Sequence, residues 1–387
     1  MLPALAAAGF ASMASVRIAD PMLPALAREF NADAAQAAPV IVLFSLGYGL
    51  MQLLWGPLGD RVGKLRVIGW AALAASLGSI ACAVAPTLPA LSVARLATGA
   101  LCAAIIPLSI AYVGDTVAYA QRQATLARLA TGTLTGMIAG QVLGGIAADT
   151  VGWRTAFAAL AAAFVVPGLL AMRLHARVGP PPQPPPGSLV HGWWAVLSRP
   201  GAPALLAAAA AEGALMFGAL AFVPTFLHER AGLTLAAAGT AVAAVGVGGL
   251  AYATTARHWI ARLGEPGLAV AGGLLIAAGL GAGVAAATLG GPLGAWGGAA
   301  ACCGVAGLGF YMLHNTLQTL ATQLAPQSRA TAVGLFAVAI FVGQSAGVAA
   351  GARLGPWLGW GPLIAGCGVL LALLGAAVRS GLTRRSG

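Results

Sequence analysis

Gly56-Pro57-Leu58-Gly59-Asp60-Arg61-Val62-Gly63-Lys64-Leu65-Arg66 is a charged, glycine-rich stretch between two long apolar runs. No other stretch sets one acid and three bases so close together. Pro57 lacks the N–H that a helix interior uses, and Gly56, Gly59 and Gly63 tolerate bends and close approach. The stretch is therefore expected to be a turn joining two helices. Its bases, Arg61, Lys64 and Arg66, are costly in hydrocarbon and favourable at an anionic lipid surface, which assigns the turn to the cytoplasmic side of a membrane.

Working outward, the composition calls for a lipid solvent. Of 387 residues, 59% are hydrophobic and 7% charged, against about 25% charged in soluble domains. A soluble core of this size cannot hide so much apolar surface. The formal net charge is +11, from 20 Lys plus Arg against 9 Asp plus Glu. Most of those bases fall in gaps between apolar runs, so a nucleic-acid partner is not expected. Cys82, Cys102, Cys302, Cys303 and Cys367 lie inside apolar runs without metal-ligand spacing. They read as small buried hydrophobes, and no metal site is expected. Met1 to Phe10 has no basic start ahead of its apolar stretch, so a retained first span rather than a cleaved signal is expected.

A spanning helix needs about 20 apolar residues. Twelve such runs fit, near 3–28, 37–57, 66–85, 89–113, 124–148, 153–173, 203–227, 234–256, 266–288, 292–317, 330–352 and 357–378. Alternating the gaps between two sides leaves Arg28, Arg154, Arg230 and Arg353 on one side and every other base outside the runs with the opening turn. That asymmetry puts both termini in the cytoplasm. A chain rich in Ala, Gly and Arg with Lys64 as its only lysine suggests a bacterial coding sequence, hence a bacterial inner membrane.

The sixth gap, Gly179-Pro-Pro-Pro-Gln-Pro-Pro-Pro-Gly187, favours an extended spacer. On either side the chain repeats itself. Pro24 and Glu29 are echoed by Pro224 and Glu229; Arg122, Gly140-Gln141, Gly144 and Gly152-Trp153 by Arg329, Gly343-Gln344, Gly347 and Gly359-Trp360. The opening turn has a decayed copy from Arg257 to Glu265, keeping Arg262 and Gly264 with Ala261 in place of the acid. The reading is an all-α membrane protein of twelve helices: a first six-helix bundle over 1–173, a cytoplasmic linker over 174–202, and a second bundle over 203–387.

Ionisable side chains inside the membrane cost several kcal/mol and are functional candidates by default. Arg17 and Asp20 lie in the first run, Arg95 in the fourth and Glu212 in the seventh. The tenth adds His314, Asn315 and Gln318. Arg17 and Asp20, three residues apart, share a helix face and are able to pair. Arg95 falls at a similar depth, so Asp20 has two candidate cations. The readings are a static ion pair or a proton-linked switch in which protonation of Asp20 releases an arginine. Glu212 has no base within a turn and is a candidate to carry a proton or meet a cationic substrate.

The opening stretch resembles the loop between the second and third helices of major facilitator superfamily transporters: Gly, three residues, Asp-Arg, one residue, Gly and two bases. Gly56, Asp60, Arg61, Gly63 and Lys64 match in place, and the last base is displaced to Arg66. Arg95 followed by Gly99 is similar to the family's fourth-helix pattern. Gly136, Gly140, Gly144 and Gly145 are similar to its antiporter motif, with Gln141 where that motif has Pro. The resemblance implies two six-helix bundles rocking about a midplane site, with helices one, four, seven and ten around the cavity. It also implies a conformational latch in which Asp115 pairs with Lys64.

The resulting expectation is a secondary transporter: proton-coupled export of small apolar or cationic compounds by alternating access, with Asp20, Arg17, Arg95 and Glu212 in proton coupling. The cavity residues are expected to be Met216, Phe217, Tyr311, His314, Asn315 and Gln318, and a proton gradient takes the place of a cofactor. Partners are a small-molecule substrate and the bilayer, with a monomer as the expected state. A proton-linked sugar or metabolite carrier is the alternative, for which Asn315, Gln318 and Trp296 speak. An enzyme is not expected, because no His-Glu-x-x-His run, Gly-x-Ser-Gly turn or intramembrane aspartate pair is present.

Overall fold

The computed structural model describes residues 2–178, 189–325 and 329–386. Among them every regular element is helical, and 11 helices are long and apolar enough to cross a membrane. The first seven are α1 (Leu2–Glu29), α2 (Ala34–Val62), α3 (Lys64–Ala83), α4 (Leu88–Thr116), α5 (Gln121–Asp149), α6 (Trp153–Arg177) and α7 (Ala202–Ala231). The helix Leu235–Leu289 runs for 55 residues, but Gly264 leaves helical geometry at φ 61° and ψ 177°. It is therefore two spans, α8 (235–263) and α9 (265–289). With α10 (Pro292–Leu324), α11 (Thr331–Leu358) and α12 (Trp360–Leu382), the described residues hold about twelve spans.

The chain divides into two compact units, Met1–His191 and Gly192–Gly387. In the first, α1 packs on α5 and α6, α2 on α4, and α3 on α4 and α6. In the second, α7 packs on α11 and α12, α8 on α10, and α9 on α10 and α12. The two units thus use the same pairing in the same order. The Pro-rich spacer at 179–187 lies outside the described residues. Beyond it a helix, Leu189–Leu197, occupies part of the expected linker, with its Val196 packed on Ala325 and Ala332.

Proline decides where three spans break. It cannot donate to the carbonyl four residues back, and the helical segments end at or beside those carbonyls. Leu2–Arg17 stops at the residue Pro21 would have bonded, Ala202–Leu220 at the one Pro224 would have bonded, and Leu88–Cys102 one residue before that of Pro107. After each break the span resumes, as Leu23–Glu29, Val223–Ala231 and Ile105–Thr116. So α1, α4 and α7 are discontinuous helices; Asp20 sits at the interruption of α1, while Arg95 and Glu212 lie about two turns before those of α4 and α7.

The opening stretch is narrower than its composition suggests. The helix Pro39–Val62 continues through Pro57, and the turn is Gly63 alone, at φ 104° and ψ 122°. Contacts with α4 hold this segment helical. The Trp55 indole donates to the Ala100 carbonyl at 2.7 Å, and Gly59 abuts Leu108 so closely that a Cβ there would meet its Cδ2. Losing one backbone hydrogen bond at Pro57 is tolerated where neighbouring helices support the chain. Gly63 and Gly264 both take positive φ, which L side chains rarely adopt, so the decayed copy of the turn keeps its backbone although it has lost its acid.

Candidate functional site

In the first unit, the break in α1 delivers Asp20 to a fully buried position. Its Oδ2 lies 3.5 Å from Arg17 Nη1 and accepts a hydrogen bond from Gln141 Nε2 of α5 at 2.9 Å. Its Oδ1 is buried and accepts no hydrogen bond. Arg95, also fully buried, makes no ion pair with Asp20. Its Nε donates to the Val40 carbonyl at 3.2 Å and its Nη1 to Ser15 Oγ at 3.3 Å, while its guanidinium lies 3.8 Å from the centre of the Phe44 ring. Of the two candidate cations, only Arg17 pairs with the acid. A carbonyl, a hydroxyl and an aromatic face hold the Arg95 guanidinium away from the acid, and its Nη2 is buried without a hydrogen-bond partner.

Gln141 is the residue whose role the sequence conceals. It stands where the motif has Pro, yet it is 3% exposed and is the buried acid's shortest contact. The glycines around it explain how it gets there. A Cβ on Gly140 would lie 2.5 Å from the Ala14 carbonyl oxygen. Cβ atoms on Gly136 and Gly144 would strike the carbonyls of Phe10 and Ile18. Backbone therefore meets backbone along the α1–α5 seam. Gly145, beside it, is buried as well.

In the second unit, Glu212 of α7 is fully buried. Its Oε2 lies 3.0 Å from His314 Nδ1 on α10, and its Oε1 has no partner. The His314 ring stacks on Phe310 at 5.0 Å and leans on Phe336 at 5.3 Å. Phe217 meets Phe310 edge-on at 5.2 Å. Met216 is fully buried in this core. Tyr311 packs against Gly249, and Asn315 and Gln318 are half-buried.

At the turn, Lys64 Nζ bridges two carboxylates, Asp60 Oδ1 at 2.6 Å and Asp115 Oδ2 at 2.8 Å. Asp60, Arg61 and Asp115 are exposed, and a Cβ on Gly56 would meet open space. At the opposite helix ends a second repeated contact appears. Trp153 Nε1 donates to Glu29 Oε2 at 2.6 Å, and Trp360 Nε1 to Glu229 Oε2 at 2.9 Å. Two separate echoes in the sequence, the glutamates and the Gly-Trp pairs, are one hydrogen bond made twice. Arg154 adds an ion pair to Glu29 in the first unit.

Each unit therefore encloses one carboxyl group among spanning helices, held through one oxygen and open at the other. Such a group can take up and release a proton. Asp20, held by Arg17 and Gln141, and Glu212, held by His314, are buried acids of the kind that suits binding and charge exchange.

The comparisons agree with this architecture. A family model described as "Major Facilitator Superfamily" matches residues 5–348. The "Probable transporter SCO4007" of Streptomyces coelicolor is 31% identical over 404 residues, covering 98% of this chain and 87% of that protein. The "Multidrug resistance protein Stp" of Mycobacterium tuberculosis is 32% identical over 139 residues, 35% of this chain and 25% of Stp. Among solved structures, a nucleoside transporter, NupG, superposes with a TM-score of 0.78 at 15% identity, covering 97% of this chain and 99% of that one. The chain is a multi-pass integral membrane protein and belongs to the major facilitator superfamily.

Proposed function

We propose that this transporter is a proton-coupled exporter of small apolar or cationic compounds, working by alternating access in a bacterial inner membrane with both termini cytoplasmic. The observation that carries the reading is the pair of fully buried carboxyls, Asp20 and Glu212, each with one oxygen committed and one unpartnered. An acid enclosed in hydrocarbon cannot hold a proton and a cationic substrate together. Competition for the same charge makes inward proton flow and outward cation flow alternate, which is antiport. The aromatic group of Phe217, Phe310 and Phe336 around His314 suits an apolar substrate surface. The name of the partial relative Stp, a multidrug resistance protein, favours export and a broad substrate range. Lys64, bridging Asp60 and Asp115, acts as the conformational latch on the cytoplasmic side. The protein works as a monomer, with the proton gradient as its energy source.

The test uses lipid vesicles containing the protein, an imposed pH gradient, and ethidium as a planar cationic probe. Gradient-driven ethidium movement in the wild type, abolished by Asp20→Asn or Glu212→Gln and by an uncoupler, is the expected result. Coupled flux that persists in either variant removes that residue from the mechanism. Wild-type vesicles that move ethidium equally well without a gradient overturn the antiport reading.

A further inference from the structure

We infer that Gln141 is a positioning residue that directs the coupling proton to one particular oxygen of Asp20, Oδ1. The inference rests on the proposed protonation of Asp20 and goes beyond it, because it assigns the atom and the residue that selects it.

The two carboxylate oxygens are not equivalent. Oδ2 faces two donors, Gln141 Nε2 at 2.9 Å and Arg17 Nη1 at 3.5 Å. An arginine has no acceptor, and the Gln141 atom in contact is its NH₂. A proton on Oδ2 would set an O–H against those N–H groups and displace at least one of them. Oδ1 accepts no hydrogen bond, so protonation there leaves both contacts in place. The proton comes from solvent and returns to it; no covalent bond changes apart from the O–H. The charged groups acting on Asp20 are Arg17 from α1 and Arg95 from α4. The α5 helix contributes the neutral amide. From α6, Arg154 is engaged by Glu29 instead.

Gln141 can select an oxygen only if it cannot drift, and the seam provides that. Gly136, Gly140 and Gly144 lock α5 to α1 backbone to backbone, so the amide approaches Asp20 from a fixed origin. The second unit shows the same construction. Gly343 and Gly347 of α11 press on the carbonyls of Ala210 and Ala214 of α7, with Gln344 fully buried between them. A buried glutamine flanked by backbone-contacting glycines is thus made twice.

Infrared difference spectra of the lipid-reconstituted protein across a pH step, with carbon-13 label in aspartate, read the carboxyl directly. The protonated Asp20 band is the aspartate carbonyl band missing in Asp20→Asn. If the proton sits on Oδ1, the remaining carbonyl is Oδ2, hydrogen-bonded by Gln141. Its stretch then lies below the frequency of a non-bonded carboxylic acid and rises towards it in Gln141→Leu. If the proton sits on Oδ2, the carbonyl is the unbonded Oδ1, and the band lies at the free frequency in the wild type and stays there in Gln141→Leu; that result overturns the inference. Should Gln141→Leu not fold, Gln141→Met keeps the chain length and is read in the same way, and the wild-type frequency decides by itself. A merely structural role for Gln141 does not move a carbonyl frequency. Absence of any Asp20-dependent band sinks the proposed coupling role of Asp20, a failure distinct from that of the proton's placement.

Discussion

Gly140→Ala tests the close approach that sets Gln141 against Asp20. The added Cβ would lie 2.5 Å from the Ala14 carbonyl oxygen and 3.0 Å from its Cα, whereas ordinary contact begins at 3.4 Å. The obstacle is backbone, so the helices must part by 3.4 − 2.5 = 0.9 Å at that level. Passed whole to the neighbouring hydrogen bond, now 2.9 Å, this displacement gives ~3.8 Å, beyond hydrogen-bond reach. Overpacking of this kind costs about 1–3 kcal/mol, or roughly 2–12 °C in Tm for a unit of this size. The assay is ready in the sequence: Cys82, Cys102 and Cys303 are free and buried, so a thiol-reactive fluorophore reports unfolding. Gly366→Ala, whose Cβ meets nothing within 4 Å, is the control and is expected to melt with the wild type. Gly140→Ala is expected to melt earlier and to lose proton-driven transport. Melting and transport equal to the wild type would refute the reasoning.

Three more outcomes follow from the contacts. His314→Leu strands a buried acid, a change that costs about 3–5 kcal/mol when one partner of a buried pair is removed. The double variant with Glu212→Gln should recover most of the lost Tm, and additive losses would deny the pairing. Asp60→Asn and Lys64→Met should change stability by less than about 1 kcal/mol, because the acids are half exposed. Both should nevertheless shift cysteine-accessibility labelling towards the inward-facing state, and an unmoved pattern counts against the latch. Glu29→Gln and Glu229→Gln each weaken an indole-to-carboxylate hydrogen bond worth about 1.5–3 kcal/mol. The loss at Glu29 should be the larger by up to about 1 kcal/mol, since Arg154 is also released; an equal or smaller loss there shows that the ion pair adds nothing.

Hydropathy made the spans legible because a lipid solvent leaves only one kind of element able to satisfy its backbone. The repeat was legible too, down to Glu29 with Glu229 and Trp153 with Trp360, since identical contacts demand matching residues at matching places. The partners from distant helices were not, although Arg17 beside Asp20 was read from its spacing. Gln141 is 121 residues from Asp20 and His314 is 102 from Glu212, and no local spacing encodes such pairs. Arg95 was harder still, because its acceptors are a backbone carbonyl and a serine hydroxyl, and carbonyls occur at every residue. Pro57 misled for a related reason. Proline states which hydrogen bond is missing, while Trp55 and Gly59 packing on α4 decide whether the helix continues.

These partners also constrain how a proton can act. The bonds from Gln141 to Asp20, Trp153 to Glu29, His314 to Glu212 and Trp360 to Glu229 each lie within one unit. A rigid-body rocking of two bundles leaves all four unbroken. Protonation therefore need not exchange the partners of either buried acid to be felt. Neutralising Asp20 removes a negative charge that acts on Arg17 and Arg95, and in a low-dielectric interior that change of local charge is large even when no atom moves far. Under the proposed antiport, the transported compound and the conformational equilibrium both respond to that charge, so coupling requires only that the two access states solvate the first unit differently. Solvent access at Asp20 is then the quantity that must alternate. Hydrogen–deuterium exchange on its carboxyl, fast in one locked state and slow in the other, is the result this argument requires.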